Sequence, residues 1–353
     1  MSEMQEQSLC LSDVKGRFTL MVENSPSPYN DRNFINEREL AGSTRNQSDC
    51  SQKIFVTGSG GLIGSALAAF LVSEGYTVNR LVRDRTQTGA DSVYWNPSEN
   101  AVDLSALEGC VAVIHLAGEN IAGGRWSEER KKRIRDSRIH GTRFLSESLV
   151  RLTRPPGVLI CASAIGYYGH RGEEILEETS LPGKGFLAGV CREWETAARP
   201  AAQKGIRVVN LRIGVVLTPN GGALVQMLLP FRMGFGGVIG NGKQFMSWIT
   251  LDDLLGVIHH VLTMETLAGP INAVAPNPVT NREFTKTLGA ILKRPTLIPF
   301  PAFAARIALG EMAGELLLAS TRVIPARLLD SGYRFRHPDL KTALTLLLGK
   351  TAR

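Results

Sequence analysis

The residues with the clearest chemical purpose in this chain are three glycines spaced three apart, Gly58, Gly61 and Gly64. An apolar run, Lys53–Thr57, precedes them, and an apolar segment typical of a helix begins at Leu62. The first glycine permits a tight turn, the second lets a pyrophosphate approach the backbone, and the third lets the helix pack against the strand. Free N–H groups at a helix N-terminus bind anions. We therefore predict a dinucleotide-binding loop whose contacts come from Gly58, Ser59, Gly60, Gly61, Leu62, Ile63 and Gly64.

The end of the second predicted strand, 77–82, indicates which dinucleotide binds. An NAD-specific protein usually has an acidic residue here that binds the ribose 2′-hydroxyl. This chain has Arg83, which suits the 2′-phosphate of NADP(H), so Val82 and Arg83 are predicted cofactor contacts and NADP(H) is favoured. Two alternatives stay open: Asp84 leaves room for NAD, and Arg83 with Arg85 would also be typical of a solvated strand end.

The pattern of apolar residues from position 53 onward alternates between strands and helices. Nearly continuous apolar strands, such as 111–114 and 158–160, indicate a parallel sheet that is covered on both faces. Helices are predicted at 62–74, 127–149 and 186–204. The fold class is therefore α/β, a Rossmann-type doubly wound parallel sheet with a smaller C-terminal lobe, because glycines and prolines interrupt the alternation beyond Gly214.

The chain has 353 residues, more than a single compact core usually reaches, so several units are expected. Residues 1–52 are rich in Ser, Asn, Glu and Gln and predict a poorly ordered extension without the features of a secretory signal or transit peptide. Residues 53–275 are predicted to form the NADP-binding Rossmann domain, including part of the substrate lobe. Residues 276–353 are predicted to form a small C-terminal domain.

Composition excludes several classes of partner. The net charge of +7 is spread along the chain, so no nucleic-acid partner is expected. No apolar run reaches the roughly 20 residues that span a bilayer, and no membrane partner is expected. The five cysteines are widely spaced, which is typical of a reducing cytoplasm. The six histidines show no metal-ligand spacing, so no metal site is predicted. The oligomeric state is not predicted.

Several segments resemble the YfcH-like epimerase-family proteins, a branch of the extended short-chain dehydrogenase/epimerase superfamily. The glycine spacing behind Thr57 is shared with the superfamily, and further motifs are similar to those of the branch. These are HLAGEN at 115–120, RWSEER at 125–130, SAIGYYG at 163–169, MSWI at 246–249 and VIPAR at 323–327. The resemblance runs from about residue 53 to the C-terminus. It implies an NADP(H)-binding Rossmann protein with a C-terminal domain of unknown function, in a family whose members mostly lack an assigned substrate.

The resemblance also implies further cofactor contacts. Leu116, Ala117 and Gly118, at the end of the fourth strand, would lie on the adenosine side, and Val216 would line the nicotinamide pocket. Arg138 follows Ile134 by one turn of the long helix, and a half-buried arginine there would need an anion such as a phosphate. Plain core packing for Leu116 and Ala117, and surface exposure for Arg138, remain alternatives.

The usual catalytic residues of the superfamily are largely missing. Its members use a Ser and a Tyr-x-x-x-Lys pair, in which Tyr is the acid/base and Lys lowers its pKa. When Glu195 is aligned with the glutamate that follows the usual lysine, Leu187 occupies the tyrosine position and Cys191 the lysine position. Ser163 alone is retained. No Gly-x-Ser-x-Gly elbow surrounds it, which excludes a serine hydrolase.

An acid/base must therefore come from other residues. The candidates are Tyr167 and Tyr168 after the fifth strand, Glu119 after the fourth strand, and Cys191. Each also has a simple structural explanation: tyrosines often pack with one hydrogen bond, Glu119 would cap a turn, and Cys191 is expected to be buried.

Two hypotheses about function remain. The first is an NADP(H)-dependent oxidoreductase or epimerase that acts on an unknown small molecule with a non-standard acid/base. The second is a catalytically degenerate NADP(H)-binding protein that regulates or scaffolds a partner. The missing Tyr-x-x-x-Lys pair favours the second hypothesis, whereas the retained pocket segments 119–120, 125–126 and 247–248 favour the first.

Overall fold

Helices and strands alternate through residues 52–349, the part of the chain that the computed structural model describes. The predicted N-terminal extension lies outside these residues except for Gln52. The strands are β1 Lys53–Thr57, β2 Thr77–Val82, β3 Ser92–Asn96, β4 Ala101–Val102, β5 Ala112–His115, β6 Val158–Ala164, β7 Ile175–Leu176, β8 Arg207–Ile213, β9 Val215–Leu217, β10 Phe245–Met246, β11 Trp248–Thr250, β12 Gly269–Ala273, β13 Val279–Thr280 and β14 Arg322–Val323.

The helices lie between these strands and in the C-terminal segment. They are α1 Leu62–Ser73, α2 Leu104–Leu107, α3 Glu128–Val150, α4 Phe186–Ala197, α5 Arg199–Gln203, α6 Gly222–Arg232, α7 Leu251–Thr263, α8 Asn281–Leu292, α9 Ala302–Leu309, α10 Glu311–Leu316, α11 Ala326–Asp330 and α12 Leu340–Gly349. None of the helices between residues 52 and 349 is long and apolar enough to cross a membrane.

The central sheet has eight strands in the order β12-β8-β6-β5-β1-β2-β3-β4. Neighbouring strands are parallel except β4, which pairs antiparallel with β3 at the edge. The strand order reverses between β1 and β5, and ligands of such sheets bind outside the carboxyl ends of the strands at that point. The predicted α/β class and Rossmann-type sheet are confirmed.

The sheet is buried on both faces because its strands are apolar throughout. In β1, Ile54 and Val56 face the core formed with α1 and α7, whereas Phe55 faces the opposite core formed with α3. All three side chains are fully buried. Burial of each contributes about 1.5 to 3 kcal/mol, so the strand that leads into the glycine loop is held firmly from both sides.

Three predicted element boundaries were wrong. The helix expected at 186–204 is two helices, and Pro200 lies in the first turn of the second, where its missing N–H is tolerated. Strand β5 ends at His115, so Leu116 and Ala117 follow the strand instead of ending it. Strand β6 extends to Ala164, beyond the apolar run 158–160 that predicts it, because its backbone stays paired with β8 through Ala164.

A third apolar core joins the segments on either side of residue 275. Leu224 and Leu228 of α6 pack with Leu288 of α8 and with Leu340 and Leu344 of α12. The two predicted domains therefore share a core within the described residues. The boundary between positions 275 and 276 stays a prediction.

Asp253, in the first turn of α7, ties the C-terminal segment to the rest of the fold. Its buried carboxylate accepts hydrogen bonds from Arg336 N at 2.7 Å and His337 N at 2.9 Å. The Asp253 carbonyl accepts a hydrogen bond from the Tyr333 hydroxyl at 3.0 Å. The Asp253 side chain thus has a structural role, because it accepts hydrogen bonds from backbone N–H groups of the C-terminal segment.

Replacement of Asp253 should destabilise the protein strongly. In Asp253→Ala, two N–H groups lose their acceptor, and each unsatisfied buried group costs about 1 to 3 kcal/mol. We expect the free energy of unfolding, measured by denaturant titration, to fall by roughly 2 to 5 kcal/mol. Asp252→Ala is the matched control and should change little, since Asp252 makes only a 4.0 Å contact with His337. Equal effects of the two substitutions would contradict the proposed role.

Candidate cofactor site and active site

The loop between β1 and α1 has the geometry predicted for a glycine-rich loop. Gly58 has φ +70°, and a Cβ there would lie 2.8 Å from the carbonyl carbon of Leu116. A Cβ at Gly64 would overlap the Gly58 carbonyl oxygen. Only glycine fits at both positions, because the backbone after β5 and the start of α1 approach the loop backbone too closely for a side chain.

The N-terminus of α1 is suited to an anion. Gly61 caps the helix in an extended conformation and is exposed, and no side chain caps the first turn. Ser59 and Gly60 lie in the turn before it, while Leu62 and Ile63 begin the helix. A pyrophosphate would fit against these N–H groups, since the helix dipole favours negative charge there. The residues present therefore fit a dinucleotide cofactor.

A buried hydrogen-bond network fixes the backbone opposite this loop. The Thr57 hydroxyl accepts hydrogen bonds from Leu116 N at 3.1 Å and Ala117 N at 3.2 Å. It also lies 2.7 Å from Nδ1 of His115, which is fully buried. Both acceptor positions of the hydroxyl are occupied, so its proton points to Nδ1 and the imidazole proton is assigned to Nε2. Sequence reasoning missed the roles of Thr57 and His115, although the first ends the predicted strand 53–57 and the second begins the motif at 115–120.

Burial lowers the pKa of His115 to about 4. The folded protein therefore holds His115 neutral, while in the unfolded chain the imidazole protonates with a pKa of about 6.5. Protonation favours the unfolded state, so the stability from this residue is complete above pH 6.5 and is lost as the pH falls toward 4.

His115→Asn should make the protein less sensitive to mild acid. The asparagine oxygen takes the place of Nδ1 and accepts from Thr57, but it does not titrate. Between pH 6.5 and 4 the wild-type protein should lose about 3 kcal/mol more stability than the variant. Denaturant titrations across this range measure the difference. Parallel pH profiles for the two proteins would show that His115 is not the titrating group.

Arg138 lies beside the loop that follows β5. Its Nη1 donates to the Ile134 carbonyl at 3.0 Å, and its guanidinium lies 3.3 Å from the position of a Cβ on Gly118. Burial lowers the pKa of Arg138, while the nearby charge of Glu119 opposes this shift. Within residues 52–349 no carboxylate pairs with Arg138 at salt-bridge distance. A half-buried cation in this position is suited to a cofactor phosphate or ribose.

Val82 and Arg83 lie at the carboxyl end of a strand of the central sheet, whereas Val216 lies in a separate two-stranded sheet. Val82 ends β2, and Arg83 follows it with an exposed side chain that has no hydrogen-bond partner within the described residues. Val216, in β9, pairs with Ile249 of β11 and is partly buried against the core that contains α7. Asp84 instead caps the next turn by accepting from Thr86 N at 2.9 Å.

Ser163 belongs to a buried polar cluster beneath the carboxyl edge. Its hydroxyl donates to Glu195 Oε1 at 2.8 Å, and Arg212 binds both oxygens of Glu195 at 2.8 and 2.9 Å. Burial alone would lower the pKa of Arg212, but the Glu195 carboxylate outweighs burial and raises it. Sequence reasoning used Glu195 only as an alignment marker and missed this ion pair. The hydroxyl of Ser163 is therefore committed to a carboxylate within the protein.

Tyr168 lies in the interior and does not face the cofactor edge. Its hydroxyl accepts from Arg212 at 2.9 Å and lies 2.7 Å from Oδ1 of Asn272 in β12, to which it donates. Burial raises the pKa of Tyr168 to about 12. The suggestion of Tyr168 as an acid/base is corrected, because the side chain is completely buried and its hydroxyl is occupied on both sides.

The positions of the missing Tyr-x-x-x-Lys pair face the turn that follows β6. A Cβ on Gly166 would lie 3.2 Å from Leu187 Cβ and 3.9 Å from Cys191 Sγ. Both side chains are buried, and burial raises the pKa of the Cys191 thiol to about 12. Cys191 therefore stays protonated and is a packing residue, as its simple structural explanation predicts.

Tyr167 and Glu119 keep their functional groups free. The Tyr167 ring is half-buried and stacks on Arg212, whose Cζ lies 3.5 Å from the ring centroid. Within residues 52–349 the Tyr167 hydroxyl makes no hydrogen bond, and the Glu119 carboxylate has no hydrogen-bond or ion-pair partner. The Glu119 backbone N–H donates to the Ser137 hydroxyl at 3.0 Å, which fixes the backbone of the loop that follows β5. The structure thus leaves two of the four predicted catalytic residues available for proton transfer.

The C-terminal lobe contacts α4, the helix in which Leu187 and Cys191 occupy the positions of the usual Tyr-x-x-x-Lys pair. Glu315 of α10 accepts a hydrogen bond from Leu187 N at 3.2 Å, in the first turn of α4. The helix begins at Gly185, which offers no side-chain cap. Lys131 of α3 binds Glu311 at 3.0 Å beside this contact. Glu315 therefore supplies the missing N-terminal acceptor from a distant part of the chain.

The fold and the glycine-rich loop define a Rossmann-type dinucleotide-binding protein. Comparison with known proteins supports this class. Residues 54–273 match the NAD dependent epimerase/dehydratase family, and residues 300–347 match a domain of unknown function, DUF1731. The chain belongs to the NAD dependent epimerase/dehydratase family. The resemblance predicted from the sequence motifs is confirmed.

Relatives match over nearly their whole length. Epimerase family protein Mb2239 of Mycobacterium bovis is 44% identical over 82% of this chain and 96% of its own. Human epimerase family protein SDR39U1 is 36% identical over 83% of this chain and 98% of its own. The crystal structure of human SDR39U1 (isoform2), which contains NADPH, superposes with a TM-score of 0.78, 36% identity and coverage of 84% of this chain and 99% of that chain.

Proposed function

We propose that this protein is an NADP(H)-dependent oxidoreductase or epimerase that acts on a small molecule with Tyr167 as its acid/base. The observation that carries the proposal is the free Tyr167 hydroxyl in the turn after β6. This turn packs on Leu187 and Cys191, the positions that hold the catalytic pair in ordinary relatives. The family membership and the dinucleotide loop support the cofactor class.

NADP(H) is the cofactor that the chain's residues fit best. Arg83 presents a free guanidinium after β2, whereas Asp84 is engaged in capping the next turn. NADPH in the related human structure supports the same choice. When bound, the nicotinamide supplies or accepts hydride. Gly58 and Gly61 admit the pyrophosphate, and Arg138 offers a positive charge beside the β5 loop.

Arg83→Ala should weaken NADPH binding and leave NADH binding unchanged. Loss of a charge-assisted contact to the 2′-phosphate costs about 1.5 to 3 kcal/mol, which is about tenfold or more in affinity. Calorimetric titration of both cofactors measures this. Arg80→Ala is the matched control, since Arg80 lies three residues earlier, in β2, and pairs with Asp91 at 2.7 Å. Equal affinity of the wild-type protein for NADPH and NADH would refute the assignment.

In the proposed chemistry, Tyr167 transfers a proton and Glu119 binds the substrate. For carbonyl reduction, Tyr167 donates its hydroxyl proton to the substrate oxygen as hydride reaches the carbonyl carbon. Arg212, held by Glu195, fixes the orientation of the Tyr167 ring by stacking beneath it. Glu119, with no partner for its carboxylate, is placed to bind a hydroxyl or amine of the substrate.

Tyr167→Phe should remove turnover while NADPH binding persists. Loss of a general acid lowers kcat by about 10²- to 10⁴-fold. NADPH consumption against a broad panel of carbonyl compounds and nucleotide sugars measures the rate, and cofactor titration measures binding. Tyr76→Phe, in a half-buried tyrosine outside the site, is the matched control. A Tyr167→Phe variant with wild-type kcat would exclude Tyr167, and Glu119→Gln would then test the other free group.

A second candidate function follows from the loss of the catalytic pair. With Leu187 and Cys191 buried, the protein would be a catalytically degenerate NADP(H)-binding protein that regulates or scaffolds a partner. Tight NADPH binding without turnover on any member of the panel would favour this candidate. Turnover that depends on Tyr167 would exclude it.

A further inference from the structure

Exposed apolar side chains are concentrated on one part of the C-terminal half. Within residues 52–349, seven large apolar side chains are at least 60% exposed, and six of them lie in the segments 229–235 and 297–307. We call these six the apolar surface: Leu229, Met233, Phe235, Leu297, Phe303 and Ile307. Such a concentration is uncommon on soluble monomers and marks an interaction site.

The two segments of the apolar surface lie side by side. Phe300 N donates to the Val238 carbonyl at 2.8 Å, and Gly240 N donates to the Phe300 carbonyl at 2.9 Å. Helix α9 begins two residues later and places Phe303 and Ile307 one turn apart on its outer face. On the same helix, Ala305 is fully buried, so the helix is seated on the protein with its bulky apolar residues outward.

The two segments that carry the apolar surface contain basic but no acidic residues, and the next acidic residue, Glu311, is paired with Lys131. Residues 196–251 and 284–310 contain no Asp or Glu, although the chain has 33 acidic residues in total. The exposed bases in these segments include Arg232, Lys293, Arg294 and Arg306. None of these four takes part in an ion pair within the part of the chain that the structure describes. The surface therefore combines apolar side chains with basic side chains that form no ion pair among the described residues.

We propose that the apolar surface docks on the anionic leaflet of a lipid bilayer. Apolar side chains enter the boundary between headgroups and acyl chains, and neighbouring Lys and Arg bind the anionic headgroups. A second copy of this chain fits less well, because a symmetric contact would bring the two sets of arginines together. The expectation that no membrane partner exists rested on the lack of a spanning segment, which does not bear on contact with one leaflet.

Vesicle sedimentation of the full chain tests the proposal. The probes are vesicles of phosphatidylcholine alone and vesicles in which phosphatidylcholine and phosphatidylglycerol are mixed at about 3 to 1. We expect binding to the mixed vesicles, weak or no binding to phosphatidylcholine alone, and weaker binding at high salt. No binding to the mixed vesicles would overturn the proposal. A stable dimer in sedimentation velocity that Phe303→Ser dissociates would also overturn it.

Variants separate the two components of the surface. Phe303→Ser with Ile307→Ser removes apolar contact, and Arg232→Glu with Arg294→Glu reverses two charges. Each pair should weaken vesicle binding by about tenfold or more. Leu181→Ser is the matched control, since Leu181 is 76% exposed but lies outside the surface. NADPH affinity should stay at the wild-type value in all three proteins. Vesicle binding that neither pair weakens would overturn the assignment to this surface.

Discussion

The buried ion pair between Arg212 and Glu195 is the interaction on which the active-site edge depends. It joins the end of β8 to α4, and the side chains are only 3% and 13% exposed. Through the same two groups it holds the Ser163 hydroxyl, the Tyr168 hydroxyl and the face of the Tyr167 ring. Removal of one partner would leave an uncompensated buried charge, which costs about 3 to 5 kcal/mol.

This cluster accounts for several residues that resemble catalytic ones. Ser163 and Tyr168 occupy motif positions that suggest proton transfer, yet both hydroxyls donate their proton to groups within the protein. The hydrogen bonds instead connect β6, the turn after it, β8 and β12, whose last residues, Ala164, Ile213 and Ala273, are paired with one another in register. Tyr167 and Glu119, whose hydroxyl and carboxylate make no hydrogen bond among the described residues, follow β6 and β5 and are partly exposed. Neighbouring residues in the segment 163–168 therefore differ: Ser163 and Tyr168 are fixed by hydrogen bonds within the protein, whereas the Tyr167 hydroxyl is free.

The sequence predicts the sheet and the glycine loop well because both rest on local patterns. Continuous apolar strands and the spacing of Gly58, Gly61 and Gly64 are visible without knowledge of tertiary contacts. The roles of Tyr168 and Asp253 were not predictable in this way. Their partners, Asn272 and the 336–337 backbone, lie about 80 to 100 residues away along the chain. The division of 186–204 into two helices had a local signal, Pro200. The apolar periodicity continues past this residue and therefore predicted a single helix.

The contact between Glu315 and the start of α4 has a consequence for synthesis of the protein. The acceptor for Leu187 N is supplied by a residue 128 positions later in the chain. A nascent chain that has left the ribosome through α4 therefore has the glycine loop and most of the parallel sheet but lacks the cap on this helix. Such a chain also lacks β8, so the final form of α4 depends on two parts of the chain that are synthesised later: Arg212, which binds Glu195, and Glu315, which binds Leu187 N.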